Sequence, residues 1–397
     1  MKNIKKILVT LVVSLLLVTM AGCSSSPSAD GGSEKPVKIG VLVADATGEE
    51  ALAFRSYYED YIQKNFNVEF MYSDELSDAA AEASTIDNFV ANNCKAIISF
   101  ASADRAAQIE KCEENKVYYA VATGTLSDAE YEQFKSYEYY VGAIGPDLTT
   151  EFLAGYDMAK YYIDNGSTKF AMFGGATPYF NDMHIYRAAG MLAAMAEAAG
   201  TDYKGATSFG IVGQIYADMC AIEPYDFGSV KLVGYVGGYD FDDAWFGKLA
   251  ETAANPEVEV LLAVGSGETA FGAFKQEGQK LGNFDSYTAA QVGLVQAGTI
   301  DYLTGKFSAS IGPIFAATLS AVKGQPIRTN EGYALALGQG YWVATSVEQA
   351  NEYFKVCAST TEPAYTKDML EGLIGASYDD FAKFVSAYSF EDISNIK

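Results

Sequence analysis

At 397 residues, with 51 acidic against 27 basic side chains, the chain carries a formal net charge of −24, which disfavours nucleic acid and anionic lipid headgroups as partners. A hydrophobic share of 49% excludes disorder except near the termini, and the length exceeds the roughly 250–300 residues at which a single core divides, so two lobes are expected. A single histidine argues against a His-based zinc site and against a Ser-His-Asp hydrolase.

The chain starts with Lys2, Lys5 and Lys6, then an apolar run over 7–20, then Met20-Ala21-Gly22-Cys23. A basic start, a short apolar stretch and small residues at a cut site describe a secretory signal peptide. The run falls short of the roughly 20 apolar residues of a membrane-spanning helix. Gly22-Cys23 resembles the lipobox of bacterial lipoproteins. That resemblance implies cleavage after residue 22, a diacylglycerol on Cys23, further acylation such as palmitate, and a site on the extracytoplasmic side of the cell membrane. An uncleaved anchor, or an ordinary secretory signal with a chance cysteine, is the alternative. Residues 23–36 are rich in Ser, Gly and Pro and read as a flexible linker. The remaining cysteines, Cys94, Cys112, Cys220 and Cys357, match no CxxC metal pair. Cys94 and Cys112 could form a disulfide, or all four could be isolated buried thiols.

From residue 37 onward, short apolar runs alternate with amphipathic stretches. Strands are predicted at 38–43, 68–72, 96–100, 117–122 and 139–144, and again at 169–173, 231–236, 258–264, 287–292 and 307–311. Ala79, Ala83, Ile86 and Val90 recur at helical spacing, as do Ile185, Ala189, Leu192, Ala196 and Ala199. The alternation predicts an α/β fold of two doubly wound parallel-sheet lobes joined by a hinge. Right-handed crossovers then align the strand C-termini along one edge, where ligands bind. The expected boundaries are residues 37–147 for the first segment of the N-lobe and 148–292 for the C-lobe. Residues 293–326 return to the N-lobe, and residues 327–397 form a return strand and C-terminal helices across the hinge. The crossings are expected at 144–147 and 292–297, with a return near 324–330.

A lipoprotein signal, a linker and two serial βαβ lobes together resemble the type I periplasmic-binding-protein family, the solute receptors of ABC importers. The resemblance spans roughly residues 37–355. It rests on Lys38-Ile39-Gly40-Val41-Leu42-Val43, on Val141-Gly142 followed by the helix with Gly155, and on residues 170–175 followed by Arg187-Ala188-Ala189-Gly190. Ala270-Phe271-Gly272-Ala273 and the Lys323-Gly324 turn add to it. The family's sugar-binding branch places an Asp-Arg pair after strand four, an Arg before the sixth-strand helix, an Asn-Asp after strand eight and an Asp after strand nine. Here the corresponding loops read Ala122-Thr123-Gly124-Thr125 and Gly265-Ser266-Gly267-Glu268, with Gln291 at the strand-nine position. The nucleoside-binding basic-membrane-protein branch resembles residues 234–243 and the Gly265-Ser266-Gly267 loop. Its Asp-Lys-Ser-Phe-Asn segment after strand one is replaced by Asp45-Ala46-Thr47-Gly48-Glu49-Glu50.

The candidate ligand contacts lie on loops after the strands. Asp45 can accept hydrogen bonds from a ligand or cap its helix. Ser102 and Thr123 are candidate hydroxyl partners, and Asp104 is expected to cap the helix from Arg105. Thr177, Tyr179, Phe180 and Asn181 combine ring faces with polar groups, as a hydroxylated ring ligand requires. His184, one turn before Arg187, either faces the site or is exposed. Tyr239, Asp240 and Trp245 form a second aromatic–acid cluster, with capping the default role for Asp240 or Asp242. Glu268 and Gln291 complete the set. Surplus acid near the cleft favours a neutral or cationic ligand.

No GxSxG, HExxH or Walker A signature occurs, so no enzyme activity, cofactor or metal is expected. The resemblance implies a monomeric, lipid-anchored receptor that closes around a sugar, or alternatively a nucleoside, and delivers it to an ABC permease. A sensor feeding a membrane signalling protein would use the same residues.

Overall fold

The computed structural model describes residues 35–100, 102–174 and 182–396. In chain order the strands are β1 (Val37–Val43), β2 (Val68–Glu75), β3 (Ala96–Ser99), β4 (Tyr118–Ala122), β5 (Tyr140–Gly145) and β6 (Lys169–Phe173). They continue as β7 (Tyr225–Asp226), β8 (Lys231–Val236), β9 (Val260–Ala263), β10 (Lys280–Ser286), β11 (Tyr302–Lys306), β12 (Leu335–Gly338) and β13 (Trp342–Ala344). Two sheets result, with orders β12-β5-β4-β3-β1-β2 and β13-β11-β10-β9-β6-β8-β7. All pairs in the first sheet are parallel. In the second only the edge strands β13 and β7 run antiparallel. The expected α/β architecture of two parallel sheets is what the chain forms.

Parallel strands must bury both faces. Ile39, Val41, Leu42, Ile97 and Ile98 are accordingly fully buried. The helices Ala79–Ala91 and Arg105–Asn115 pack on the first sheet, as does Gly312–Val322. Side chains at the helix N-termini set where these helices start. Asp78, Asp104, Asp147 and Asp242 each accept a backbone N–H from three residues on, satisfying donors that a helix leaves orphaned. Asp104 is therefore the cap expected for it.

In the second lobe the helices Leu148–Asp164 and Asp182–Ala199 pack closely because glycines lie at the contact. A Cβ on Gly155 would collide with the Arg187 carbonyl, and one on Gly190 with that of Phe152. This close approach brings Glu151 beside Arg187.

The chain crosses between the sheets three times: at 146–147 after β5, at 307–311 after β11, and at 339–341 between β12 and β13. The first crossing follows β5 directly. The second comes later than 292–297, because β10 and β11 precede the segments predicted as strands. Residues 287–292 lead into the helix Ala289–Gln296, and residues 307–311 hold a 3-10 turn. The helix Gly312–Val322 then packs on the first sheet, and the chain goes back to the second sheet only after β12, at 339–341. β10 reads KLGNFDS, whose Gly, Asn and Asp are poor strand formers. It is a strand because its neighbours bury it: Gly282 abuts Met158, and Asn283 is fully buried with polar partners. The C-terminal helices pack on both lobes, Val347–Cys357 against Ala289–Gln296 and Lys367–Leu373 against Gly312–Val322. Cys94, Cys112, Cys220 and Cys357 are free thiols.

Candidate functional site

The C-terminal ends of the strands in both sheets open onto one cleft, the place where an open α/β sheet binds ligands. On the first-lobe side a cavity of about 210 Å³ is lined by Val43, Ala44, Asp45, Ala51, Phe54, Arg55, Tyr72, Phe100 and Thr123. On the second-lobe side a cavity of about 230 Å³ is lined by Met183, His184, Arg187, Tyr239, Gly265, Ser266, Phe284, Asp285 and Tyr341. Glu50 and Lys306 line both and pair at 2.9 Å. A second link between the lobes is the backbone N–H of Ala290, which donates to Glu49 at 3.1 Å.

The first half is mostly apolar wall. Phe54 and Phe100 lie 5.6 Å apart. The Arg55 guanidinium sits 4.6 Å over the Tyr72 ring and pairs with Glu59 at 3.1 Å. Asp45 accepts the N–H groups of Gly48 and Thr47 at 2.8 and 2.9 Å. These two bonds hold its carboxyl below the ordinary range.

The second half is charged and braced. Arg187 is buried and donates to Glu151 at 2.7 Å, to the Val264 carbonyl at 2.6 Å and to the Tyr341 hydroxyl at 2.8 Å. Its guanidinium also stacks 4.2 Å over Phe284. Burial opposes the charge, but Tyr341 and Glu151 beside it outweigh that effect and keep it protonated. Asp285 accepts from the Gln291 amide at 2.9 Å and from the Ser286 hydroxyl at 3.0 Å. Burial, with Glu268 and Glu50 nearby, pushes its carboxyl up to about 7. Behind it, Asn283 donates to Glu268 at 2.9 Å and to Gln291 at 3.3 Å, and accepts the Gly267 N–H at 2.7 Å. Burial pushes the Tyr239 hydroxyl up to about 12. Its ring lies 5.6 Å from that of His184 and 5.1 Å from Phe173.

Of the residues proposed from sequence, Asp45, Thr123 and Tyr239 line the cleft, as does His184. Ser102 instead accepts the Gln108 amide at 3.2 Å. Asp240 is exposed outside both lining sets. Trp245 is a core residue whose indole N–H donates to the Gly238 carbonyl at 3.0 Å. Glu268 and Gln291 lie outside both lining sets; Gln291 donates to Asp285, and Glu268 accepts from Asn283. Thr177, Tyr179, Phe180, Asn181 and Cys23 lie outside the described residues.

Sequence reasoning missed Glu50, Phe54, Arg55, Tyr72, Phe100, Phe284, Asp285, Lys306 and Tyr341. Asp285, at the end of β10, occupies the strand-nine position assigned to Gln291. A signal for this was available. Thr288 caps the helix by accepting the Gln291 N–H, and a Thr three residues before Gln reads as a helix start, which places the strand upstream. Among the described residues no group of His, Cys, Asp and Glu is arranged to hold a metal ion.

No protein-family model matches the chain, and no curated protein matches its sequence. Its structure resembles an ABC-transporter periplasmic solute-binding protein from Actinobacillus succinogenes with bound D-allose. That likeness has a TM-score of 0.57 at 15% identity and covers 80% of this chain and 100% of the other. A solute-binding protein from Bacillus halodurans with bound myo-inositol gives 0.55 at 16% identity, over 82% and 99% of the two chains. A galactofuranose-binding protein gives 0.57 at 12% identity, over 81% and 98%. The fold is that of the two-lobed periplasmic solute-binding proteins, the architecture that the sequence resemblance implied.

Proposed function

We propose that the chain is an extracytoplasmic solute-binding lipoprotein that captures a sugar between its lobes and passes it to an ABC permease. The observation that carries this reading is the composition of the cleft. A sugar hydroxyl both donates and accepts, and charged partners give the strongest such bonds. Asp285 and Glu50 supply acceptors, while Arg187 and Lys306 supply donors. The rings of Phe100 and Tyr239 offer apolar faces for the C–H side of a sugar ring. The sugars named for the structural neighbours agree with this chemistry.

Binding energy drawn from both lobes favours the closed arrangement over the open one. The lipid on Cys23 keeps the monomeric receptor beside its permease, and no residue is assigned a catalytic role. Among the described residues no helix is long and apolar enough to cross a membrane.

The test is a thermal-shift panel of monosaccharides, polyols and nucleosides on the mature chain. A true ligand at a hundred times its dissociation constant adds about 2.7 kcal/mol of stability. Stabilisation by nucleosides alone would replace the sugar by a nucleoside. Turnover of a glycoside with no binding shift would overturn the receptor reading.

A further inference from the structure

Two of the three segments that join the sheets are tied to one buried side chain. Glu151 lies in the first turn of the helix that follows the first crossing, and Tyr341 is the last residue of the third. These crossings run side by side, since Gly338 pairs with Gly145 and a Cβ on Gly338 would press on Asp147. Arg187 donates to both Glu151 and Tyr341. The Tyr341 hydroxyl donates in turn to the other Glu151 oxygen at 2.7 Å, closing a ring of three hydrogen bonds.

Two residues earlier the chain grips the opposite lobe. The Gln339 N–H donates to the Gly145 carbonyl at 2.9 Å, and its amide to the Tyr365 hydroxyl at 3.3 Å. Gly340 alone separates the two grips, and the Tyr388 ring fills the space where a Cβ would stand.

We propose that Tyr341 is a positioning residue that confines the bending of the third crossing to Gly340 and couples it to the cleft-lining Arg187. This rests on the cleft being the ligand site. Gln339 fixes the first-lobe end of the third crossing, and the Tyr341 hydroxyl fixes the second-lobe end. A ligand oxygen accepting from Arg187 then pulls on the group that holds the pivot. Without the hydroxyl, residues beyond Gly340 share the bending, and the lobes sample a wider range of angles.

Small-angle X-ray scattering on the mature chain, with no ligand added, tests this directly. Tyr341→Phe removes only the hydroxyl. It should raise the radius of gyration and broaden the distance distribution, while circular dichroism still reports the native fold. Phe284→Leu, which alters the other support of Arg187 from β10 and an edge-on ring contact with Tyr341 but leaves all three hydrogen bonds of the ring in place, should leave the scattering profile unchanged. Should Tyr341→Phe fail to fold, Glu151→Gln weakens the same ring and should expand the profile likewise. A lowered melting temperature with an unchanged profile would overturn the proposal, making the ring a local brace only. Equal expansion in Phe284→Leu would also overturn it. Neither result would touch the receptor reading, which stands or falls on the ligand panel.

Discussion

The two halves of the cleft have similar volumes and opposite chemistry. The first-lobe half is walled by Phe54, Phe100 and Tyr72, with its charged groups satisfied elsewhere: Arg55 by Glu59, and Asp45 by backbone amides. The second-lobe half holds Arg187 and Asp285 against a braced network that runs back to Glu151, Tyr341, Asn283 and Gln291. Buried polar groups persist only when fully partnered, so the charged half needs a supporting shell and the aromatic half does not. On the proposed function a division of labour follows: the second lobe would fix ligand orientation through directed hydrogen bonds, and the first would cover the ligand with ring faces that demand less exact placement.

The strongest way to break this contrast is Arg187→Ala. It leaves the Glu151 carboxylate buried beside only a tyrosine hydroxyl, and removal of one partner from a buried pair costs about 3–5 kcal/mol. Urea unfolding should show that loss, together with loss of sugar binding. A loss under about 1 kcal/mol would mean the braced half is no more committed than the aromatic one.

Asp285 sharpens the contrast through pH. Its folded pKa, near 7, stands above the ordinary carboxylate value of 3.8. The folded chain therefore holds this proton more tightly than the unfolded one. The resulting stability is complete below about pH 4 and is lost as pH rises towards 7 and beyond. Asp285→Asn should remove that slope. Its melting temperature should match wild type near pH 4 and exceed it at pH 8. Asp285 is partly exposed, so solvent screening trims the gain to roughly 1–2 kcal/mol. A wild-type excess at pH 8 would reverse the assignment.

Phe100→Ala tests the other half. It should weaken sugar binding about tenfold, the order expected for a lost ring face, by nearly the same factor at pH 5 and pH 8. Titration calorimetry at the two pH values checks this. A strong pH dependence would show that the aromatic wall is electrostatically tied to Asp285 after all.

How much of this was legible in the sequence depended on how each residue is held. β1 through β6, β8 and β9 announce themselves as apolar runs because both faces pack on helices. β10 does not, since its burial is satisfied by specific partners such as Gly267 and Glu268 for Asn283. The six-residue displacement of that strand moved the cleft acid from Asp285 to Gln291. Asp45, Thr123 and Tyr239 were legible because they follow clearly marked strands. Glu50, Lys306 and Tyr341 were not, because Glu50 reaches the cleft from a helix turn, Lys306 from the end of β11, a strand displaced from its predicted position, and Tyr341 from a crossing whose position depends on how the lobes meet. Trp245 was misjudged for a related reason. An aromatic after a strand and an acidic cap can turn either way, and here its indole N–H found the Gly238 carbonyl.

The smallest effect should come from the one ion pair that belongs to both halves. Glu50 and Lys306 meet at 2.9 Å with side chains 35% and 22% exposed, a setting in which ion pairs contribute about 0.2–1 kcal/mol and are screened by salt. Glu50→Gln keeps the shape and removes the charge. It should cost at most about 1 kcal/mol in stability at low ionic strength and almost nothing in 1 M salt, where the Debye length is about 3 Å. Because Glu50 also raises the Asp285 pKa, the same substitution should shift the pH midpoint of stability downward, towards the ordinary carboxylate range. A change in the salt response without a shift in the midpoint would mean that the pair bridges the lobes mechanically, while the charged half of the cleft is electrostatically independent of the first lobe.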